Sequence, residues 1–258
     1  MSLKDVYNDL LKKAVDCDIS SGMNEQILFS DIISPNSKVY LDAGFRMGLK
    51  LSLDKKSIEE ILDKFEEKWS EADPKYKKSL QFLTHSVSSV VNEFLGQSGT
   101  SANRTNTYLK SGDESISLSD IKGKNIGLCV ERAAIAHQVF TVLSESGISN
   151  YKSIYTTSEL EVDDGTNNYG PHAFIILENK TKESERYIYD IQNPIVVKKD
   201  DEQYRVDGIF DLSEDEYESY INKDMISPKC TYENYGYELV SQNRKYGLKF
   251  GNLLKPNI

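Results

Sequence analysis

The run from Gly127 to Gly147, GLCVERAAIAHQVFTVLSESG, constrains this chain more than any other stretch. Ala133, Ala134, Ile135, Ala136, Val139, Phe140, Val142 and Leu143 cover most of a helix circumference. The spacing therefore predicts a helix buried on nearly all sides. Gly147 is suited to end it. Cys129 stands just after a glycine, at the start of that helix. The unpaired N–H groups and the positive dipole end there favour a thiolate over a thiol, and the thiolate is the nucleophile. Function therefore turns on whether Cys129 finds a base.

At 258 residues the chain is one large domain or two small ones. No apolar run is long enough for a membrane span. The N-terminus is amphipathic and carries acidic residues, without the apolar core of a signal peptide, so a cytoplasmic protein is expected. A non-classical export route would leave no mark in the sequence. Cys17, Cys129 and Cys230 are odd in number and far apart, with no C-x-x-C pair. That argues against a disulfide framework and against a cysteine zinc site. A formal charge of −10 disfavours nucleic acid and anionic membranes as partners.

In chain order, residues 2–16 read as a helix opened by Ser2 and Asp5. The stretch from 20 to 52 is broken by Pro35 and glycines and reads as loops and short helices. Ile58, Ile61, Leu62, Phe65 and Trp69 mark a second helix. A third is expected from Asp73-Pro74, where Asp caps and Pro takes the first position, running to Gly96. Residues 97–115 are polar and read as a linker or a long loop. Beyond the central helix, strands are expected at Tyr151–Thr157, His172–Glu178 and Arg186–Ile191, the last stopped by Asn193-Pro194. Val196–Val197 and Tyr204–Ile209 suggest a further hairpin. Ser213 with Glu216 opens a short helix, and Tyr237–Val240 is a final strand candidate. The order predicts an α+β fold rather than an alternating α/β one. Residues 1–100 are read as a helical N-terminal region or cap, and residues 101–258 as a core with a C-terminal extension.

Three histidines are available as a base for Cys129. His137 lies on the same helix, roughly 12 Å along its axis, too far to serve. His85 is off the apolar stripe of its helix and reads as solvated. His172 opens a strand after Tyr169-Gly170-Pro171. If that strand and the next form a hairpin turning near Lys180–Glu183, His172 faces Asp190 directly across it. Cysteine, histidine and an orienting carboxylate are what nucleophilic catalysis by a thiol needs.

The runs G-L-C-V-E-R-A-A, P-H-A-F-I-I-L and Y-I-Y-D-I-Q-N-P, in that order, resemble the catalytic core of the transglutaminase-like superfamily, which belongs with the papain-like thiol enzymes. The resemblance covers roughly residues 116–195. It implies a Cys-bearing helix packed on an antiparallel sheet, with Cys129 as nucleophile, His172 as general base and acid, and Asp190 as orienter. It implies acyl transfer on a peptide bond or glutamine carboxamide through a thioester, ending in hydrolysis, deamidation or crosslinking. The implied partner is a protein or peptide substrate, with no metal or cofactor. The oxyanion hole would use the Cys129 N–H and an upstream donor, for which Asn125 and Tyr108 are the candidates. G-x-C-x-E also occurs in arylamine N-acetyltransferases, which usually carry an arginine where this chain has Lys124-Asn125-Ile126. The cysteine pairs of peptide N-glycanases are absent. Ser149-Asn150-Tyr151 stands where the superfamily often has an arginine, which leaves the subfamily open.

Other readings accompany this one. Cysteine alone is often a small buried hydrophobe. Glu131 and Arg132 form a buried pair or line the cleft. Glu161, Asp163 and Asp164 cluster as a calcium site would, but lack the ligand spacing of a calcium loop and read as a solvated loop. A catalytically silent protein-binding module on the same fold is the alternative to an enzyme. A deamidating or crosslinking effector with a helical targeting region is also compatible with the long N-terminal region.

Overall fold

The computed structural model describes residues 1–20, 25–41, 49–99, 106–107, 115–162, 168–241 and 243–248. Ser2 and Asp5 close the expected capping box on α1 (Leu3–Leu11). The helix stops short of residue 16, because past Leu11 only Ala14 continues its stripe and Val15 is exposed. The stretch read as loops and short helices instead holds β1 (Ile27–Phe29), β2 (Val39–Tyr40) and β3 (Lys50–Ser52). Strands of two or three residues are too short to show alternation. They exist through distant partners: Ile27 lies opposite Thr157, and Leu51 lies beside Ile116 of β4 (Ser115–Ser117).

In α2 (Lys55–Glu71), Asp54 caps the Ser57 N–H at 3.0 Å, and Ile58, Ile61, Leu62 and Phe65 are buried. The third helix, α3 (Leu80–Leu95), begins later than Asp73-Pro74. Asp73 instead accepts from the Lys75 N–H at 2.8 Å and closes a turn. The N-cap of α3 is Ser79, which accepts from the Phe82 N–H at 3.2 Å. Tyr76 is exposed, so no apolar contact draws that turn into the helix. Gly96, at φ 79°, ends α3 as expected.

The short α4 (Leu118–Ile121) leads to α5 (Cys129–Glu145), the predicted central helix. Every residue of α5 from Val130 to Ser144 except Thr141 is buried. Four long strands follow: β5 (Tyr151–Val162), β6 (Asn168–Asn179), β7 (Arg186–Lys199) and β8 (Glu202–Leu212). Asn193-Pro194 does not end β7. The strand runs through them with its ladder to β8 interrupted between Asp190 and Ile195, a bulge that accommodates the proline. Ser213 and Glu216 cap α6 (Glu214–Ile221). A 3₁₀ turn at Thr231–Tyr235 precedes β9 (Glu238–Leu239) and β10 (Arg244–Gly247).

The main sheet runs β1-β5-β6-β7-β8, with β10 also on β5 and β9 on β7, all antiparallel. A small second sheet orders β2-β3-β4. One apolar cluster joins α1, α2, α3 and α5 to Ala173, Ile175, Leu177 and Tyr189 on the inner face of the main sheet. The other face, with Phe174, Ile176 and Ile188, packs against Tyr220, Ile226 and Tyr246. The fold is thus α+β in three layers. Among the described residues no helix is long and apolar enough to cross a membrane.

The two candidate caps separate experimentally. Ser79→Ala is expected to lower the unfolding free energy by about 1 kcal/mol, and Asp73→Ala by less, in urea denaturation. The reverse order would place the helix start back at Asp73.

Candidate active site

Cys129 is the first residue of α5 and is half-buried. The segment before it is held tightly. A Cβ on Gly127 would lie 2.8 Å from Leu95 Cδ1, so glycine permits the close approach of this strand of chain to α3. Glu131 is fully buried and reaches back to accept from the Leu128 N–H at 3.1 Å, which occupies one free donor of the helix end. Arg132 is also buried. It donates to Gly127 O at 3.3 Å, to Gly96 O at 2.7 Å and to Asn92 Oδ1. These bonds tie the N-terminus of α5 to the C-terminus of α3. Glu131 and Arg132 each anchor backbone around Cys129, and the Glu131 charge favours the Arg132 cation against its burial.

His172 sits near the start of β6 and is 6% exposed. Its Nε2 lies 3.0 Å from Asp190 Oδ2 on β7. Cys129 forms a hydrogen bond with the same ring. With Nε2 taken by Asp190, Nδ1 is the nitrogen left for the sulfur. The ring is stacked over Phe174, with centroids 6.1 Å apart. The three residues singled out from the sequence are therefore brought together.

The register that does so is not the predicted one. Ile175 lies opposite Tyr189 and Glu178 opposite Arg186. Continued, that ladder sets Asp190 opposite Phe174, two residues from the expected His172. A shift of two keeps every side chain on its face, whereas a shift of one would have separated the pair. His172 and Asp190 are diagonal neighbours, within reach for long side chains. Both also lie beyond the last β6–β7 rung, Ile175–Tyr189. By alternation they belong to the face carrying Phe174 and Ile188, away from α5. At that point β6 is still paired to β5, with Ser158 opposite His172, and only its ladder to β7 has ended.

Asp190 is fully buried and richly bonded. Besides His172 it accepts from the Asn193 N–H at 3.2 Å, the Asn193 side-chain amide at 3.2 Å and the Tyr246 hydroxyl at 3.1 Å, with Arg244 Nη1 at 3.5 Å. The Asn193 amide also stands 3.4 Å from His172 Nε2. Both groups are donors when the ring is charged, so that approach is a contact and not a bond. Gly208 faces Asp190 on β8, and a Cβ there would lie 2.6 Å from Asn193 O and 3.0 Å from Asp190 O.

Burial alone would lower the pKa of His172. The Asp190 charge and hydrogen bond, with those of Cys129, outweigh it and push it up to about 10. Burial alone would raise Asp190. The charge and bond of His172, then Arg244 and Asn193, hold it below its ordinary value. Both directions describe one ion pair in a dry setting.

His137 is wholly buried, bonds Ser153 Oγ at 3.0 Å and Asp31 O at 2.8 Å, and is lowered to about 4 by burial. It is a core residue. His85 is largely exposed and lies 3.6 Å from Asp207. Asn125 is exposed at φ 56°, and its Oδ1 accepts from the Gln97 N–H at 2.7 Å. Its carbonyl end thus closes the turn after α3, and a Cβ on Gly96 would collide with it. Tyr108 lies outside the described residues, as do Asp163 and Asp164. Glu161 pairs with Lys245 at 3.0 Å. Among the described residues no group of three or more His, Cys, Asp or Glu is placed to hold a metal ion.

An open cleft of about 530 Å³ runs along the seam between α3 and β7–β8, lined by His85, Asn92, Glu93, Pro194, Arg205 and Asp207, and Cys129, His172 and Asp190 are not part of its lining. Sequence reasoning missed Asn193, Arg244, Tyr246 and Gly208. Only Asn193 left a signal, as the third residue after an aspartate whose side chain caps its N–H.

Comparison with protein-family models, with curated proteins and with solved structures finds no match.

The raised histidine sets the pH behaviour. The stabilisation it contributes is fully present below an ordinary histidine pKa of about 6.5 and is lost as pH rises through about 10. An NMR titration should show the His172 ring still charged at pH 8, and in Asp190→Asn it should titrate well below the wild type. A wild-type ring neutral at pH 7 would contradict the ion pair.

Proposed function

We propose that the chain is a thiol-dependent acyl-transfer enzyme of transglutaminase-like type, acting on an amide of a protein or peptide. The observation that carries this reading is the bridging position of His172, bonded on one side to Asp190 at 3.0 Å and on the other to Cys129. A buried imidazole in that position, with its charge supported by a carboxylate, is what keeps a neighbouring sulfur ionised.

In this reading the Cys129 sulfur attacks the amide carbonyl. The negative charge on the carbonyl oxygen is met by the Cys129 N–H and the positive end of α5. His172, held as the imidazolium, gives its proton to the leaving nitrogen. The C–N bond breaks and a thioester remains on Cys129. Neutral His172 then takes a proton from water or from an acceptor amine, which attacks the thioester and restores the thiolate and imidazolium. Asp190 keeps Nε2 protonated throughout, so Nδ1 is always the nitrogen that exchanges the proton with sulfur and substrate. Cys129 is only half-buried, which fits a residue that has to meet a substrate.

Alkylation by iodoacetamide, followed by mass spectrometry, tests the pair. Cys129 should react at pH 6 faster than exposed Cys17, and His172→Ala should slow it by about tenfold or more. Buried Cys230 is the internal negative control. Reaction at Cys129 indifferent to His172 would remove the enzyme reading and leave a protein-binding module.

A further inference from the structure

Asp190 is the point where a part of the chain with no resemblance to the family enters the site. All three groups on its Oδ2 besides Asn193 come from other strands: His172 from β6, and Tyr246 and Arg244 from β10. β10 is the last described strand. It pairs with β5, with Arg244 opposite Val162 and Gly247 opposite Glu159, and so is held on the sheet independently of β7.

Tyr246 is fully buried. Its ring packs against Phe174 at 5.0 Å and Phe210 at 5.8 Å, and its backbone exchanges two hydrogen bonds with Ile226 at 2.8 and 2.9 Å. Its hydroxyl therefore has one defined place, 3.1 Å from Asp190 Oδ2. Arg244 works on the same carboxylate and on the bulge that carries it. Its Nη1 donates to Asn193 O at 2.6 Å and its Nη2 to Pro194 O at 3.3 Å, while Nη1 also stands 3.5 Å from Asp190 Oδ2. The bulge interrupts the β7–β8 ladder between Asp190 and Ile195, so its carbonyls need other donors. Arg244 supplies them.

We propose that Arg244 and Tyr246 are positioning residues of the triad, and that strand β10 completes the active site by fixing Asp190 Oδ2 on His172 Nε2. This rests on the thiol-enzyme reading of Cys129, His172 and Asp190. Both act through the carboxylate. The charged and titratable groups around Asp190 are His172 from β6, Arg244 and Tyr246 from β10 and, through His172, Cys129 from α5. Arg244 is the one permanent positive charge among them. It favours the ionised carboxylate, which in turn favours the imidazolium and the thiolate.

Two substitutions separate these roles. Tyr246→Phe keeps the ring between Phe174 and Phe210 and removes only the hydroxyl. Arg244→Met removes the charge and the clamp, and Arg244→Lys restores the charge without the fork. The rate of Cys129 alkylation by iodoacetamide is followed across pH, with thermal melting as the check on folding. Tyr246→Phe is expected to slow alkylation at pH 7 by about tenfold. Arg244→Met is expected to move the acid limb of the profile up by about one pH unit, because Asp190 then accepts a proton more readily. Arg244→Lys should return most of that shift. Folded variants whose profiles superimpose on the wild type, while His172→Ala remains slow, would overturn the positioning role and leave the triad standing. A fast His172→Ala would remove both, since there would be no triad to position. Should Arg244→Met fail to fold, Tyr246→Phe decides the question alone.

Discussion

The structure depends on burying α5 from every side. A helix with apolar residues round its whole circumference cannot lie on one surface, so it needs helices on one flank and a sheet on the other. The polar side chains caught in that burial then dictate how the layers join, because each must find a partner. His137 reaches Ser153 on β5 and the Asp31 carbonyl. Gln138 exchanges two hydrogen bonds with Ile33, both at 2.8 Å. Arg132 takes the carbonyls at Gly96 and Gly127. Residues from the first third of the chain are in this way bonded to the central helix, and they share one apolar cluster with it.

That arrangement leaves the cysteine at a place where three kinds of structure end together. The N-terminus of α5 is pinned to the C-terminus of α3. The β6–β7 ladder stops after Ile175 and Tyr189. The β7–β8 ladder breaks at Asp190. At His172 the strand β6 is still paired to β5 through Ser158, while its ladder to β7 has stopped. His172 there contacts a residue of the helical layer on one side and Asp190 on the other. Sites assembled where regular pairing stops, with rigid elements on all sides, combine reach with fixed geometry.

Electrostatics then acts on a dry cluster. Asp190 and His172 are both buried, and each alone would be driven neutral. Together, with Arg244 beside the carboxylate, they are held charged. Breaking such a pair from one side leaves an uncompensated charge in the interior, which is far more disruptive than the net worth of the pair suggests. The number of donors gathered on Asp190 fits that requirement: a carboxylate with several bonds and a neighbouring cation tolerates burial that a lone one does not.

Much of this was legible in the sequence, and the unread parts share a cause. The central helix, the middles of the long strands, the caps at Ser2 and Ser213, and the glycine stop at Gly96 follow from local rules, because periodicity and capping operate within a few residues; the strands run further than expected, and β6 continues through the Tyr169-Gly170-Pro171 run read as a turn before His172. The order Cys129, His172, Asp190 was legible too, because Cys129 opens the central helix and the other two fall on strands that their apolar pattern marks. The start of α3 was misplaced because Asp73 and Ser79 both satisfy the capping rule and only the exposure of Tyr76 separates them. The strands β1, β2, β3 and β10 were unreadable, since they are short and owe their form to partners far along the chain. The same holds for Arg244 and Tyr246, which meet Asp190 across 54 and 56 positions. The sequence by itself determined which segments are buried and which residue types stand at their ends, through the hydrophobic pattern. Only the tertiary structure decided the register, the bulge and the residues around Asp190, because those depend on which backbone groups remain unpaired once the layers have closed.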